Sequence, residues 1–196
     1  YRQHNLSITK NQDVILSERK KIRDFHFKKK NTNFKVLFVI GAKKDTQNIK
    51  NILFKKLNNK YLIDYTIDQL KNLKIKHKII INSDNKKIIN YINNFKNKNL
   101  VAKIRSKKLT NLQNVNLEDI MKESNLYCKE NYNFDSDIVV YLNANFPLKN
   151  INEIMEGIHT LTLHNFDKVI SVYEDFDLHF VHSKIGLEAL AKRRHA

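Results

Sequence analysis

The chain has 196 residues, 41% hydrophobic and 10% aromatic, enough to enclose one core and too few for two full-sized domains or for disorder along the whole length. Its single cysteine, Cys128, excludes an intrachain disulfide and a cysteine-held zinc, and points to a reducing, cytoplasmic compartment. The longest apolar runs, Val36 to Ile40 and Ile79 to Ile81, fall far short of the about 20 residues of a membrane helix, so no membrane partner is expected.

A net charge of +16 would by itself suggest a polyanionic partner. The excess is lysine, 30 against 6 Arg, and Lys, Asn and Ile together fill 80 positions. That is a compositional bias of solvent-facing positions. The Arg stripes and interleaved aromatics that grip phosphates and stack on bases are missing, which argues against nucleic acid.

Residues 1–33 form a basic linker or the tail of an upstream domain, with a basic helix from Asp13 to Lys30. The chain opens on Tyr1, and the expectation is a piece of a longer polypeptide. From Phe34 the pattern becomes periodic. Phe34 to Ile40 has the near-continuous apolar character of a strand buried on both faces. Tyr61 to Leu73 has helical spacing, and His77 to Ile81 is a second buried strand. Lys86 to Phe95 is an amphipathic helix, Leu100 to Ile104 a third strand, Asn116 to Glu130 a helix with Cys128 inward, and Asp137 to Leu142 a fourth strand. Ile151 to Leu163 is a helix, Lys168 to Tyr173 a strand, and Leu178 to His182 a short apolar stretch. Alternating strands and helical crossovers predict a three-layer α/β/α domain with a mostly parallel sheet over residues 34–196. With three Gly and one Pro, loops must be carried by Asn, Asp and Lys.

Ligands of open α/β sheets sit beyond the carboxyl ends of the strands. After the first strand comes Gly41-Ala42-Lys43-Lys44, running on to Lys50-Asn51; its small residues allow backbone N–H groups to approach a phosphate, which the lysines would neutralise. Neither a Walker A run nor G-x-G-x-x-G is present. After the second strand, Asn82-Ser83-Asp84 offers donors and acceptors to a base or ribose; the alternative is that Ser83 or Asp84 caps the Lys86 helix. After the fourth strand, Asn143-Ala144-Asn145-Phe146-Pro147-Leu148-Lys149 holds the only Pro, whose fixed bend would aim Asn143 and Asn145 into the crevice. His4, His26 and His77 are expected at surface or linker positions, and no His spacing suggests a metal site.

Taken in order, these segments resemble the N-acylneuraminate cytidylyltransferases, the CMP-sugar synthetase family. Gly41 to Asn51 is similar to that family's opening P-A-R-x-G-S-K-x-I-P-x-K-N loop, Asn82-Ser83-Asp84 to its S-T-D, and Arg105 to Leu109 to its R-P-x-x-L. Leu142 to Lys149 resembles L-Q-P-T-S-P-L-R, and Val169 to Glu174 resembles V-x-S-V-x-E. The resemblance spans about residues 34 to 194 and implies a nucleotide-diphospho-sugar transferase (Rossmann-like) fold. The activity it implies is transfer of CMP from CTP to an acidic, sialic-acid-like sugar with release of pyrophosphate.

By the same resemblance Lys50 is catalytic, and Ala42, Lys43, Lys44, Asn51, Asn82, Ser83, Asp84 and Arg105 bind the nucleotide. Asn143, Asn145, Pro147 and Lys149 face the sugar. Mg²⁺ is implied, with its carboxylate ligands further toward the C-terminus than this chain extends, and so is a homodimer formed through a segment outside the chain. The first loop is two residues shorter than the family pattern and has Lys for Arg. A catalytically decayed homologue, acting as a nucleotide-binding or interaction module, is the alternative reading.

Overall fold

The computed structural model describes residues 17–18, 21–22, 34–44, 49–110 and 116–172, together with the backbone of 180–183 and 186–189. Strand β1 (Val36–Ala42) is buried at every position, as its unbroken apolar run demands. It pairs in parallel with β4 (His77–Ser83) on one side and β6 (Ile138–Asn143) on the other, and β4 pairs in parallel with β5 (Leu100–Ile104). The sheet order is therefore β5-β4-β1-β6. Between β1 and β4 lie a 3₁₀ turn (Ile52–Phe54), a two-residue antiparallel ladder of β2 (Lys56–Leu57) with β3 (Lys60–Tyr61), and helix α1 (Leu62–Leu70). Helix α2 (Lys86–Asn93) joins β4 to β5; α3 (Lys107–Thr110) and α4 (Leu117–Tyr132) join β5 to β6. Helix α5 (Ile151–His164) follows β6, and β7 (Phe180–Ser183) pairs antiparallel with β8 (Gly186–Ala189).

Because strand side chains alternate, β1 feeds two cores. Phe38 and Ile40 pack with Ile79, Ile81, Ile63 and Ile67 of α1, Ile88 and Ile92 of α2, and Ile158 of α5. Leu37 and Val39 pack on the other face with Ile80, Val101, Leu109, Ile120 and Cys128. The chain moves from β1 out to β5 with its crossovers on the first face, then returns past β1 to β6 with α4 on the second. A right-handed connection requires that change of face when the direction reverses. Burial raises the Cys128 thiol to about 11, so it serves as a small apolar core residue.

Asparagine does the turning that glycine does elsewhere. All five non-Gly residues with positive φ among the described residues are Asn, namely 51, 58, 59, 133 and 165. Asn133 and Asn165 close α4 and α5 in the left-handed conformation that Asn tolerates. Asn85, Asn116 and Asn150 cap α2, α4 and α5, each side chain accepting from the N–H two residues on.

The structure corrects the sequence reading in four places. The cap of α2 is Asn85; Ser83 instead accepts from the Asn85 N–H at 3.1 Å, and Asp84 is engaged elsewhere. His77 is buried, its ring edge-on to Phe38 at 6.0 Å, with Nδ1 2.8 Å from Ile75 O. Lys168 to Val172 is not a strand: Ile170 is 69% and Val172 84% exposed, and a β-branched sequence without a strand alongside has nothing to satisfy its ladder groups. The ladder of β2 with β3 and the one-turn α3 were not expected. Tyr173 and nearly all of residues 1–33, including the basic helix apart from 17–18 and 21–22, lie outside the described residues.

Candidate functional site

The order β5-β4-β1-β6 places its reversal between β1 and β6, and a crevice at the carboxyl ends of the strands opens where the order reverses. Register fixes what lines it. Gly41 stands opposite both Asn82 and Asn143, and Ala42 opposite Ser83, so the ends of three adjacent strands form one continuous strip. The Arg105 N–H donates to Ser83 O at 2.7 Å and the Ala144 N–H to Gly41 O at 3.2 Å, which ties the loops after β5 and β6 to the same strip. Lys44 N–H donates to Asp84 Oδ1 at 2.8 Å, joining the loop after β1 to the turn after β4. Gly41 is required by packing: a Cβ there would lie 2.1 Å from Tyr141 Oη.

Ala42, Asn82, Ser83, Asp84, Arg105 and Asn143 are thus brought together. Lys43 and Lys44 are exposed at the mouth; Lys50 and Asn51 are exposed further along, past residues 45–48, which lie outside the described residues. Asn82 faces inward rather than toward a base. Its Nδ2 donates to Ser124 Oγ at 2.9 Å and Glu123 Oε2 at 3.2 Å, and its Oδ1 accepts from Arg105 Nε at 2.8 Å. Burial works to raise the Glu123 carboxyl, but hydrogen bonds from Lys103, Asn82 and Ser106 together with the Lys103 charge outweigh it and hold the group below the ordinary carboxylate range. Tyr141 is pushed up by burial, against the opposing charge of Arg105.

The loop after β6 is closed on itself. Asn143 Oδ1 accepts from the Asn145 N–H at 2.9 Å. The Lys149 ammonium donates to Asn143 O at 2.7 Å, to Thr66 Oγ1 of α1 at 3.3 Å and to Phe146 O. Gln69 Nε2 of α1 reaches Pro147 O at 3.5 Å, while Gln69 Oε1 and Asn145 Oδ1 are buried without a hydrogen-bond partner among the described residues. Burial pushes the Lys149 ammonium down to about 8. Asn145, Pro147 and Lys149 therefore belong to a loop fastened to α1 through Gln69 and Thr66.

Glu123, Ser124, Lys103 and Tyr141 complete the site and were not singled out in the sequence. The cue available there was a charged residue, Glu123, one turn along α4 from the inward Ile120 and next to Ser124, which lies one turn from both Ile120 and Cys128. Among the described residues no group of three or more His, Cys, Asp or Glu side chains could hold a metal ion, and no helix is long and apolar enough to cross a membrane. No side chain here is assigned to Mg²⁺.

A mostly parallel sheet of this order, layered between helices, has the nucleotide-diphospho-sugar transferase, Rossmann-like fold. The structure is similar to a CMP:2-keto-3-deoxy-manno-octonic acid synthetase solved in complex with CTP, with a TM-score of 0.53 and 12% identity over 67% of this chain and 48% of that one. It is also similar to a cytidylyltransferase from Leptospira borgpetersenii serovar Hardjo-bovis, with a TM-score of 0.48 and 18% identity over 68% of this chain and 51% of that one. The chain spans about half the length of each. At these identities the likeness is one of fold. No family model and no curated protein matches the sequence.

Proposed function

We propose that the chain carries the nucleotide-binding half of a cytidylyltransferase of the CMP-sugar synthetase type, which transfers CMP from CTP to an acidic, sialic-acid-like sugar and releases pyrophosphate. The observation that carries this reading is the strip Ala42, Ser83 and Asn143 at the reversal of the sheet, with Lys43, Lys44 and Arg105 beside it. Backbone N–H groups and lysines of the first loop hold the triphosphate, Lys50 neutralises charge developing on the leaving pyrophosphate, and the loop from Asn143 to Lys149 orients the sugar. The Mg²⁺ requirement comes from the family resemblance alone. The fold supports the nucleotide part of this reading, and the first similar structure was solved with CTP.

Calorimetric titration with CTP, ATP and GTP in Mg²⁺ tests it: CTP binds at least about tenfold more tightly, a difference of about 1.4 kcal/mol. Equal affinities for the three, or none, refute it. A second reading, a homologue that binds nucleotide without turnover, is favoured by the Lys149 ammonium, which is engaged with three oxygens of the protein. Pyrophosphate release on adding an acidic sugar separates the two. Tight CTP binding with no release, in a chain that includes any C-terminal segment of the natural protein, selects the second.

A further inference from the structure

Arg105 folds back from the end of β5 onto β4. Its Nε donates to Asn82 Oδ1 at 2.8 Å and its Nη2 to Asn82 O at 3.0 Å. A guanidinium held along its Nε–Nη2 side keeps its end-on fork for another acceptor, and among the described residues none takes it. That fork is therefore a fixed donor with capacity left over at the strand ends. The arrangement holds only while the oxygen of the Asn82 amide, not its nitrogen, faces Arg105, since the flipped amide would set donors against donors.

The sense of that amide is decided from the opposite side. Asn82 Nδ2 donates to Ser124 Oγ and to Glu123 Oε2. A hydroxyl accepts or donates and would satisfy either orientation, whereas an ionised carboxylate only accepts. Glu123 is held in place and ionised by Lys103 Nζ at 2.9 Å and by the Ser106 N–H at 3.2 Å. It therefore discriminates where Ser124 does not.

We propose that Glu123 is a positioning residue for Arg105, acting through the Asn82 amide: an acceptor-only side chain on α4 fixes which way the amide faces, and the amide holds the guanidinium in place at the strand ends. That the held group meets a nucleotide phosphate rests on the reading above; the relay itself does not. The first test needs no ligand. In Glu123→Gln the Arg105 Nε–H, followed by NMR, exchanges with solvent about tenfold faster, as loss of roughly one hydrogen bond's worth of protection requires, while main-chain amides of α4 keep their wild-type rates. In Lys103→Met, which removes the ion pair but keeps the acceptor, the Nε–H stays protected. Unchanged Nε–H exchange in Glu123→Gln overturns the proposal, and so does faster exchange spread over all of α4.

The second test is a double-mutant cycle on CTP affinity in Mg²⁺. Arg105→Gln weakens binding by about 10- to 150-fold, the range for a charge-assisted hydrogen bond, and Glu123→Gln weakens it by about fivefold in the wild-type background and not at all once Arg105 is replaced. Additive losses overturn the relay. A wild-type protein that does not bind CTP counts against the nucleotide reading, and the Nε–H exchange then decides the relay by itself.

Discussion

Replacing Gly41 by Ala puts the packing of the crevice floor to a direct test. The added Cβ would lie 2.1 Å from Oη and 2.8 Å from Cζ of Tyr141, distances at which backbone or ring must move. The Tyr141 ring packs against the core that includes Leu37, Val39 and Ile80, so moving it aside disturbs that packing. Overpacking of this kind costs about 1–3 kcal/mol, and for a domain of this size each kcal/mol lowers the melting temperature by about 2–4 °C. Gly41→Ala should therefore melt about 2–12 °C below the wild type in differential scanning calorimetry. Tyr141→Phe removes the nearer atom and leaves the ring carbon, so Gly41→Ala/Tyr141→Phe should recover part of the loss and not all of it; the cycle isolates the contact. An unchanged melting temperature in Gly41→Ala, or no recovery in the double variant, would refute the packing described for the strip.

The other expectations concern buried charge. The Lys149 ammonium is depressed from 10.5 to about 8 by burial, so between these values the native state binds fewer protons than the unfolded chain, and stability rises with pH across that window. The wild type should thus gain stability relative to Lys149→Met between about pH 8 and pH 10, read as the difference in urea midpoints; a constant or falling difference would contradict it. Burial raises the Asp64 carboxyl although the Tyr91 hydroxyl, 3.0 Å from each of its oxygens, pulls the other way. A raised carboxyl loses stability as pH climbs through its folded value. Tyr91→Phe should move Asp64 further up in an NMR titration and deepen that loss by about 0.5–1 kcal/mol, because the half-exposed carboxyl is screened by water; an unmoved Asp64 would show that the hydroxyl does not sense the charge.

The scaffold was legible where burial is total. The Val36 to Ile40 run announced β1 because a strand covered on both faces has no solvent side to dilute the pattern, and the four parallel strands followed from it. Alanine, serine and asparagine at the strand ends were likewise readable as neighbours once the topology was. The cap of α2 was misplaced because Ser83, Asp84 and Asn85 are all capping residues, and only backbone geometry chooses among them. His77 opens β4 beside lysines, and nothing local says that its ring meets Phe38 from the neighbouring strand. The strand expected at Lys168 to Tyr173 failed for a related reason: β-propensity describes fitness for a sheet and does not supply the strand alongside.

The inward face of the site was harder still. Asn82 and Glu123 are 41 residues apart, and Asn82 and Arg105 are 23 apart; their connection exists only because β4, β5 and α4 meet at one corner. Local pattern pointed Asn82 toward a ligand, since a polar residue at the tip of an apolar strand usually has solvent or substrate to face. The corner turns it the other way, toward Ser124, Glu123 and the Arg105 guanidinium.

Amide hydrogen exchange with and without CTP and Mg²⁺ probes most directly whether the strand ends around the reversal of the sheet form one nucleotide crevice. A shared crevice requires slowed exchange at residues 41–44, 82–85, 105–106 and 143–149 together, with the cores around Leu37 and Phe38 unchanged. Slowing confined to other surfaces, such as β7 and β8, or in one of these loops without the others, would contradict it.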